Sequence, residues 1–307
     1  MNNLINLQST EQVINTYVSS LNSALTQASY AHNIKMFQRY FENHAGTTDI
    51  LNVKSQSDLQ NLMTHINNYK KYLSRKYKES TVNVRLNAIK GLYKYAHSCM
   101  IIPINPVASV KSKRVYTHRE TEHLTKEQVR AILDNAGQGL ERLTLYLLAY
   151  TGARKEEIRN IQWRDFTFDQ ERNLILTIVG KGNKKRNLVI NEKCVVELQA
   201  YKRSLMDEGI VLRPEHFVLR QWNRHERRVG STYIWEVVKS ACNRAGIIGR
   251  ISPHSFRASL ITHLLSDELI PIRDVALMAG HSSTVTTERY DKSKSETLYR
   301  VASAISY

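Results

Sequence analysis

The sequence predicts a mainly α protein with a small antiparallel β-sheet, divided into a helical first domain and an α+β second domain. Three observations carry this reading. Apolar residues recur at helical spacing through the first hundred positions. Pro103 and Pro106 then break the pattern, because proline lacks the amide donor and restricts the residue before it. Beyond them, a cluster of short β-type runs interrupts a second series of helices.

The first domain, residues 1–102, reads as four helices. Val13, Tyr17, Leu21 and Leu25 form the first apolar stripe, and Ile34, Phe37, Tyr40 and Phe41 the second. Leu59, Leu62, Met63, Ile66, Tyr69 and Leu73 form the third; Val84, Leu86, Ile89, Leu92, Tyr93 and Ala96 form the fourth. Residues 103–122 read as an interdomain linker, since Lys111 to Glu122 is polar and has no apolar period. The second domain, 123–307, opens at Thr125, whose spacing to Gln128 is that of a capping box. Leu140–Tyr150 is nearly all apolar and is expected to be a core helix, followed by a short one over 156–162. Runs at 166–169, 174–179 and 187–190 are the expected strands, with Gly180 to Lys185 as a flexible basic turn. Helices return at about 191–207, 231–245, 254–266, 271–279 and 282–289, and a tail helix is expected near 292–304.

Charge narrows the partner. Lys and Arg number 44 against 28 Asp and Glu, giving +16 and a pI near 9.7. Such an excess favours a polyanion, nucleic acid ahead of a membrane surface. It is spread along the chain: residues 1–102 already carry eleven cations against five carboxylates, so this is no basic tail on a neutral body. Lys70, Lys71, Arg75, Lys76, Arg85 and Lys90 cluster on the third and fourth helices and suit a DNA groove. Lys111, Lys113 and Arg114 in the linker can follow a phosphate backbone, and Lys184 and Lys185 add to the hairpin turn. For any one of them the competing reading is a solvated face.

Cys99, Cys194 and Cys242 lie far apart without metal spacing and are expected to be reduced. No apolar run approaches the roughly 20 residues of a membrane span. The opening Met-Asn-Asn-Leu-Ile-Asn lacks a basic region ahead of an apolar core. A cytoplasmic protein is expected.

The chemistry concentrates in residues 251–290. Ile-Ser-Pro-His-Ser-Phe-Arg at 251–257 supplies His254 and Arg257, and Met-Ala-Gly-His-Ser-Ser at 278–283 supplies His281. Tyr290 follows nine residues after His281. A phenol, with an ordinary pKa of about 10, is a weak nucleophile near neutral pH. It becomes useful where cations stabilise charge developing on a phosphate. Upstream, Thr-Gly-Ala-Arg-Lys-Glu-Glu at 151–157 places Arg154 just past the core helix, with Glu157 at intrahelical ion-pair spacing. A structural salt bridge is the competing reading for Arg154. Arg257, held close to an apolar helix face, calls for an anionic partner, either carboxylate or phosphate.

The ordered set Thr-Gly-x-Arg-x-x-Glu, Gly-Lys-Gly, His-x-x-Arg, Gly-His and Tyr resembles the tyrosine recombinase (phage integrase) family. It is similar to Xer-like and transposon-encoded members, with the match running from about 123 to 290. The resemblance implies a helical core-binding domain followed by an α+β catalytic domain with a C-terminal tail helix. It implies that Arg154, Lys181, His254, Arg257 and His281 surround a scissile phosphate that Tyr290 attacks. Lys181 would protonate the leaving 5′ oxygen, and Glu157 would orient rather than react. The resulting 3′-phosphotyrosyl bond stores the phosphodiester energy, so no ATP, metal or other cofactor is implied. The implied partners are double-stranded DNA bearing a recombination site and further copies of the chain, as a homotetramer on two duplexes. A bacterial, nucleoid-associated setting goes with this.

Two other classes remain. A type IB topoisomerase uses a related tyrosine-and-cation site and would relax DNA without strand exchange. A non-catalytic DNA-binding protein explains the charge but not the five motifs together. A metal nuclease fits less well, because His118, His123, His225 and His263 lack ligand spacing.

Overall fold

The computed structural model describes residues 9–53, 55–112, 122–222 and 224–291, the side chains of Lys181, Arg224 and His225 excepted. It is mainly helical with two small antiparallel sheets, in two compact units, Met1–His118 and Arg119–Tyr307. The expected tail helix, with the candidate cations Lys113 and Arg114, lies outside the described residues. No described helix is long and apolar enough to cross a membrane.

The first unit packs α1 (Thr10–Ser19), α2 (Ala24–Ala45), α3 (Gln56–Lys76) and α4 (Glu79–Ser98) around one core. Ser9 and Gln12 cap α1 reciprocally, as Ser55 and Asp58 cap α3. Ile34, Phe37, Ile66, Leu73, Leu92 and Tyr93 are buried at its centre. The Tyr93 hydroxyl donates to the Ile50 carbonyl at 2.8 Å, which satisfies a phenol buried in apolar surroundings. Two expected core positions are displaced. Leu25 is 82 % exposed, because α1 ends at Ser19 and Leu25 begins a new helix in a different phase. On α4 the buried position is Val82, and Val84 faces out. Residues 103–110, expected to begin a linker, instead return to the first core: Ile102, Val107 and Val110 are buried there. The helix stops at Ser98, ahead of both prolines, in a turn with Met100 at φ +58° whose Ile101 amide donates back to the Ala96 carbonyl.

In the second unit, α5 (Lys126–Asp134) starts at the Thr125–Gln128 capping box. α6 (Leu140–Thr151) runs through the core with Leu143, Thr144, Leu145 and Leu147 fully buried, packed on α5, α8 (Glu192–Asp207), α9 (Tyr233–Arg244) and α10 (Pro253–Ser266). Thr144 hides its hydroxyl by donating to the Leu140 carbonyl. The short α7 (Lys155–Arg159) leads to β1 (Phe166–Phe168), β2 (Leu174–Val179) and β3 (Lys185–Val189), an antiparallel meander in sequence order. β2 and β3 pair from Ile175–Val189 to Val179–Lys185, so β3 starts two residues earlier than expected. A second hairpin, β4 (Arg220–Gln221) and β5 (Arg224–Arg228), has no sequence forecast: it is arginine-rich and shows no alternation of apolar and polar residues. α11 (Ile272–Ala279) and α12 (Thr284–Glu288) complete the unit.

Of the three cysteines, Cys194 and Cys242 are buried, and burial pushes their thiols up to about 12 and about 11. Cys99, at the end of α4, is exposed.

Candidate active site

The site forms where α6 ends, α7 and α10 begin, and α11 passes into α12. α6 stops at Gly152, whose φ of +58° is readily adopted only by glycine. That turn puts Arg154 at the N-cap of α7. Its amide donates to one oxygen of Glu157 and its guanidinium to the other, both at 2.8 Å. A weaker bond of 3.4 Å reaches the Gly280 carbonyl, 126 residues later. The Arg154 side chain keeps 42 % of its surface open, enough to meet a ligand.

Arg257, on the first turns of α10, is 1 % exposed. Its guanidinium donates to the Gly152 carbonyl, to the Ala279 carbonyl at 2.7 Å and to His281 Nε2 at 2.8 Å. Its hydrogen bonds therefore go to neutral acceptors, where the sequence called for an anion. Both carbonyls lie at helix C-termini, those of α6 and α11, where the peptide dipoles leave partial negative charge. Burial and the neighbouring Arg154 lower its pKa to about 10, still far above neutrality, so the group stays charged.

His281 follows Gly280, the αL cap of α11. A guanidinium only donates, so Nε2 accepts from Arg257 and the ring proton resides on Nδ1, which donates to buried Thr287 Oγ1 at 2.8 Å. Burial, then the charges of Arg257, Arg154 and Arg186, push the His281 pKa down to about 4. His254 is also held below its ordinary value, by desolvation on its protein side and by Arg257 and Arg154.

Tyr290 comes just after α12. Its amide donates to the Thr287 carbonyl and its own carbonyl accepts from Thr262 on α10. The ring lies nearly parallel to His281, 10° between planes and 6.1 Å between centroids. The phenol oxygen stands 3.3 Å from His254 Nε2.

Glu157 is buried and accepts from Arg154 and from Arg186 on β3, the latter at 2.8 Å. Burial raises its pKa, but the hydrogen bonds from Arg186 and Arg154 outweigh that and hold the carboxyl below its usual range. Arg186 was not singled out from the sequence. The available signal was its register: it shares a strand face with buried Leu188, which is an uncommon place for an arginine.

Arg154, Glu157, His254, Arg257, His281 and Tyr290 thus converge, with three guanidinium groups against one carboxylate. Lys181 opens a single 3₁₀ turn, Lys181–Asn183, at the tip between β2 and β3, with Lys184 and Lys185 exposed beside it. In the first unit Lys71, Arg75 and Lys76 are exposed on α3. Lys70 donates to the Lys111 carbonyl and Lys90 to Ser112, both at 2.9 Å, while Arg85 stacks on Tyr77 at 3.9 Å. Those three cations are partly engaged within the fold.

A neutral His281 sets the sign of a pH effect. Its folded pKa is depressed, so its contribution to stability is fully present above the ordinary value of about 6.5 and is lost as pH falls toward about 4. NMR of the ring nitrogens is expected to show the Nδ1–H tautomer at pH 6 and no protonation until near pH 4. A ring titrating near 6.5 would contradict this network.

Residues 122–297, more than half the chain, match the phage integrase family. Tyrosine recombinase XerC of Pediococcus pentosaceus is 25 % identical over 288 residues, 91 % of each chain. XerD of Shewanella oneidensis is 26 % identical over 86 % of this chain and 85 % of its own. XerA of Thermococcus kodakarensis is 32 % identical over 171 residues, 55 % of this chain and 57 % of its own. The fold is that of XerH recombinase bound to difH substrate (TM-score 0.70, 19 % identity, covering 97 % of this chain and 85 % of that one). It is also that of a lambda integrase tetramer bound to a Holliday junction (0.65, 15 %, 92 % and 76 %). With the catalytic unit matched from end to end of its five motifs, the chain belongs to the phage integrase family.

Proposed function

We propose that Tyr290 is the nucleophile with which this tyrosine recombinase breaks and rejoins DNA strands at specific sites. One observation carries the assignment: the phenol oxygen lies 3.3 Å from His254 Nε2, beside a ring stacked on the histidine that Arg257 holds. Nucleophile, proton acceptor and cations meet within one pocket of charge.

The phenol attacks phosphorus and passes its proton to His254. The lowered pKa of His254 suits it to accept, because the ring is neutral near pH 7. Arg154, whose side chain is partly open, binds the non-bridging oxygens in a fork, and buried Arg257 adds its charge and holds His281. The two positive charges of Arg154 and Arg257 match a pentacoordinate phosphorus species carrying about two negative charges. Glu157 aims Arg154. Lys181 protonates the departing 5′ oxygen from its hairpin tip, with Lys184 the next candidate. The bonds balance: Tyr290 Oη–P forms, P–O5′ breaks, and a 5′-hydroxyl from a partner strand reverses the step. The reaction draws on no cofactor.

The DNA is a duplex carrying a recombination site, contacted by Lys71, Arg75 and Lys76 on the first unit, with Lys70, Arg85, Lys90, Lys111, Lys113 and Arg114 contributing phosphate contacts. Two copies occupy each site and four join two duplexes, as in the lambda integrase tetramer on a Holliday junction. The work takes place on bacterial DNA in the cytoplasm.

Tyr290→Phe is expected to bind site DNA normally and form no covalent adduct with a nicked suicide substrate on a denaturing gel. A persisting 3′-linked adduct would sink the assignment. The two arginines should part company. Arg154→Ala should slow cleavage on the order of a hundredfold or more, and its half-open ion pair should cost stability only about 1 kcal/mol or less. Arg257→Ala should slow cleavage comparably and also lower stability in urea, since each orphaned buried acceptor costs about 1–3 kcal/mol. Equal stability losses would return Arg154 to a structural role. The tail, with apolar Leu298, Val301 and Ile305, is assigned to docking on a neighbouring copy, so deletion from Ser293 onward should leave single-site binding intact but abolish synapsis of paired sites in native gels. A truncated protein that still recombines would refute the assignment of assembly to that segment.

A further inference from the structure

Arg186 touches none of the groups that meet DNA in this scheme, yet it ties together three segments that do. It sits on β3, opposite Ile178 of β2 and five residues after Lys181. It is the first residue past the hairpin tip whose side chain turns inward; Lys184 and Lys185 before it are exposed. Its Nε donates to the Met278 carbonyl at 2.9 Å, three residues before His281. Its Nη2 donates to Glu157 Oε2 at 2.8 Å, the same oxygen that receives the Arg154 amide. The side chain is 12 % exposed, so it is not free to grip a ligand as Arg154 is.

Two motif glycines make room for this contact. A β-carbon on Gly280 would stand 2.9 Å from Arg186 Nη1, at a φ of +68° that already disfavours any other residue. A β-carbon on Gly180 would come within 3.2 Å of Glu157 Oε1 and 3.7 Å of Arg186 Nη1. The backbone on both sides is thus drawn close around the Arg186–Glu157 pair.

The tip needs such an anchor. Between Gly180 and Lys184 it is closed by one backbone bond of 2.8 Å, and Gly182 and Asn183 both have positive φ. A turn of that kind fixes its own shape but not its aim. Its aim is set by the first pair of strand residues and by whatever they hold.

We propose that Arg186 is a positioning residue that aims Lys181: it locks the hairpin to Glu157 and to the backbone before His281, so that the proton donor and the arginine clamp share one frame. The proposal rests on the reading of Lys181 as general acid. Lysine cannot substitute, because one ammonium cannot hold two acceptors in the fixed geometry of a guanidinium fork.

The test uses Arg186→Lys and Arg186→Gln in the full chain, with Lys181→Ala and Arg154→Ala alongside. Single-turnover cleavage is measured on a nicked site with an ordinary 5′-bridging oxygen and on the same site with 5′-bridging sulfur, whose leaving group needs little protonation. Both Arg186 variants are expected to be slower on the oxygen substrate by on the order of a hundredfold, the scale of misplacing a reacting group by about 1 Å. Their affinity for the site should be unchanged, and they should recover on sulfur as Lys181→Ala does. Arg154→Ala should not recover. Unimpaired cleavage of the oxygen substrate overturns the proposal, as does equal slowing on both substrates or loss of site binding, each of which marks a merely structural residue. If Lys181→Ala itself fails to recover on sulfur, the general-acid assignment falls, and the proposal with it, whatever the Arg186 variants do.

Discussion

The buried guanidinium of Arg257 is the contact on which the rest of the catalytic unit depends. It is the largest fully buried side chain in the described structure, and it closes the C-terminal ends of two helices that are 127 residues apart in sequence. Burying a charge without compensation is prohibitive. Here the compensation comes from carbonyls whose helices have no further amide to offer them. α6 must therefore stop at Gly152 and α11 at Gly280, and those two stops deliver Arg154 and His281 to the same place. The site is a by-product of satisfying one cation.

That arrangement also explains the protonation pattern. Arg257 needs an acceptor at its third position, and only a neutral imidazole can provide one there. His281 is thereby committed to the Nδ1–H form, with Thr287 receiving the proton side and so tying α12, and Tyr290 after it, to the same network. Positive charge, helix ends and the tyrosine are mechanically one object.

Much of this could be read from the sequence, for definite reasons. The Thr125–Gln128 box and the apolar run of α6 are local signals, complete within a dozen residues. Four of the five motifs were visible because each places a chemically distinctive residue next to a glycine or at helical spacing, and Tyr290 stood out by its nine-residue interval from His281. What escaped depends on contacts distant in sequence. Val107 and Val110 look like linker residues until the first core is seen to need them. The β4–β5 hairpin is held by pairing and not by an apolar face, so it leaves no alternation to find. Arg186 was lost among the lysines of its own turn; only its inward register separates it from Lys184 and Lys185. The protein acceptors of Arg257 were hidden for a related reason: helix C-termini act as partial anions, and composition does not reveal where helices end against each other.

The distribution of thiols has a practical side. Cys194 and Cys242 are shielded and their thiolates suppressed by burial, whereas Cys99 lies open at the end of α4. Alkylating reagents require both access and thiolate. A maleimide dye will therefore couple to the native chain at a single place on the helical unit, remote in sequence from every catalytic motif. The wild-type protein carries its own attachment point for fluorescence, and that unit can be followed in titrations without introducing or removing a cysteine.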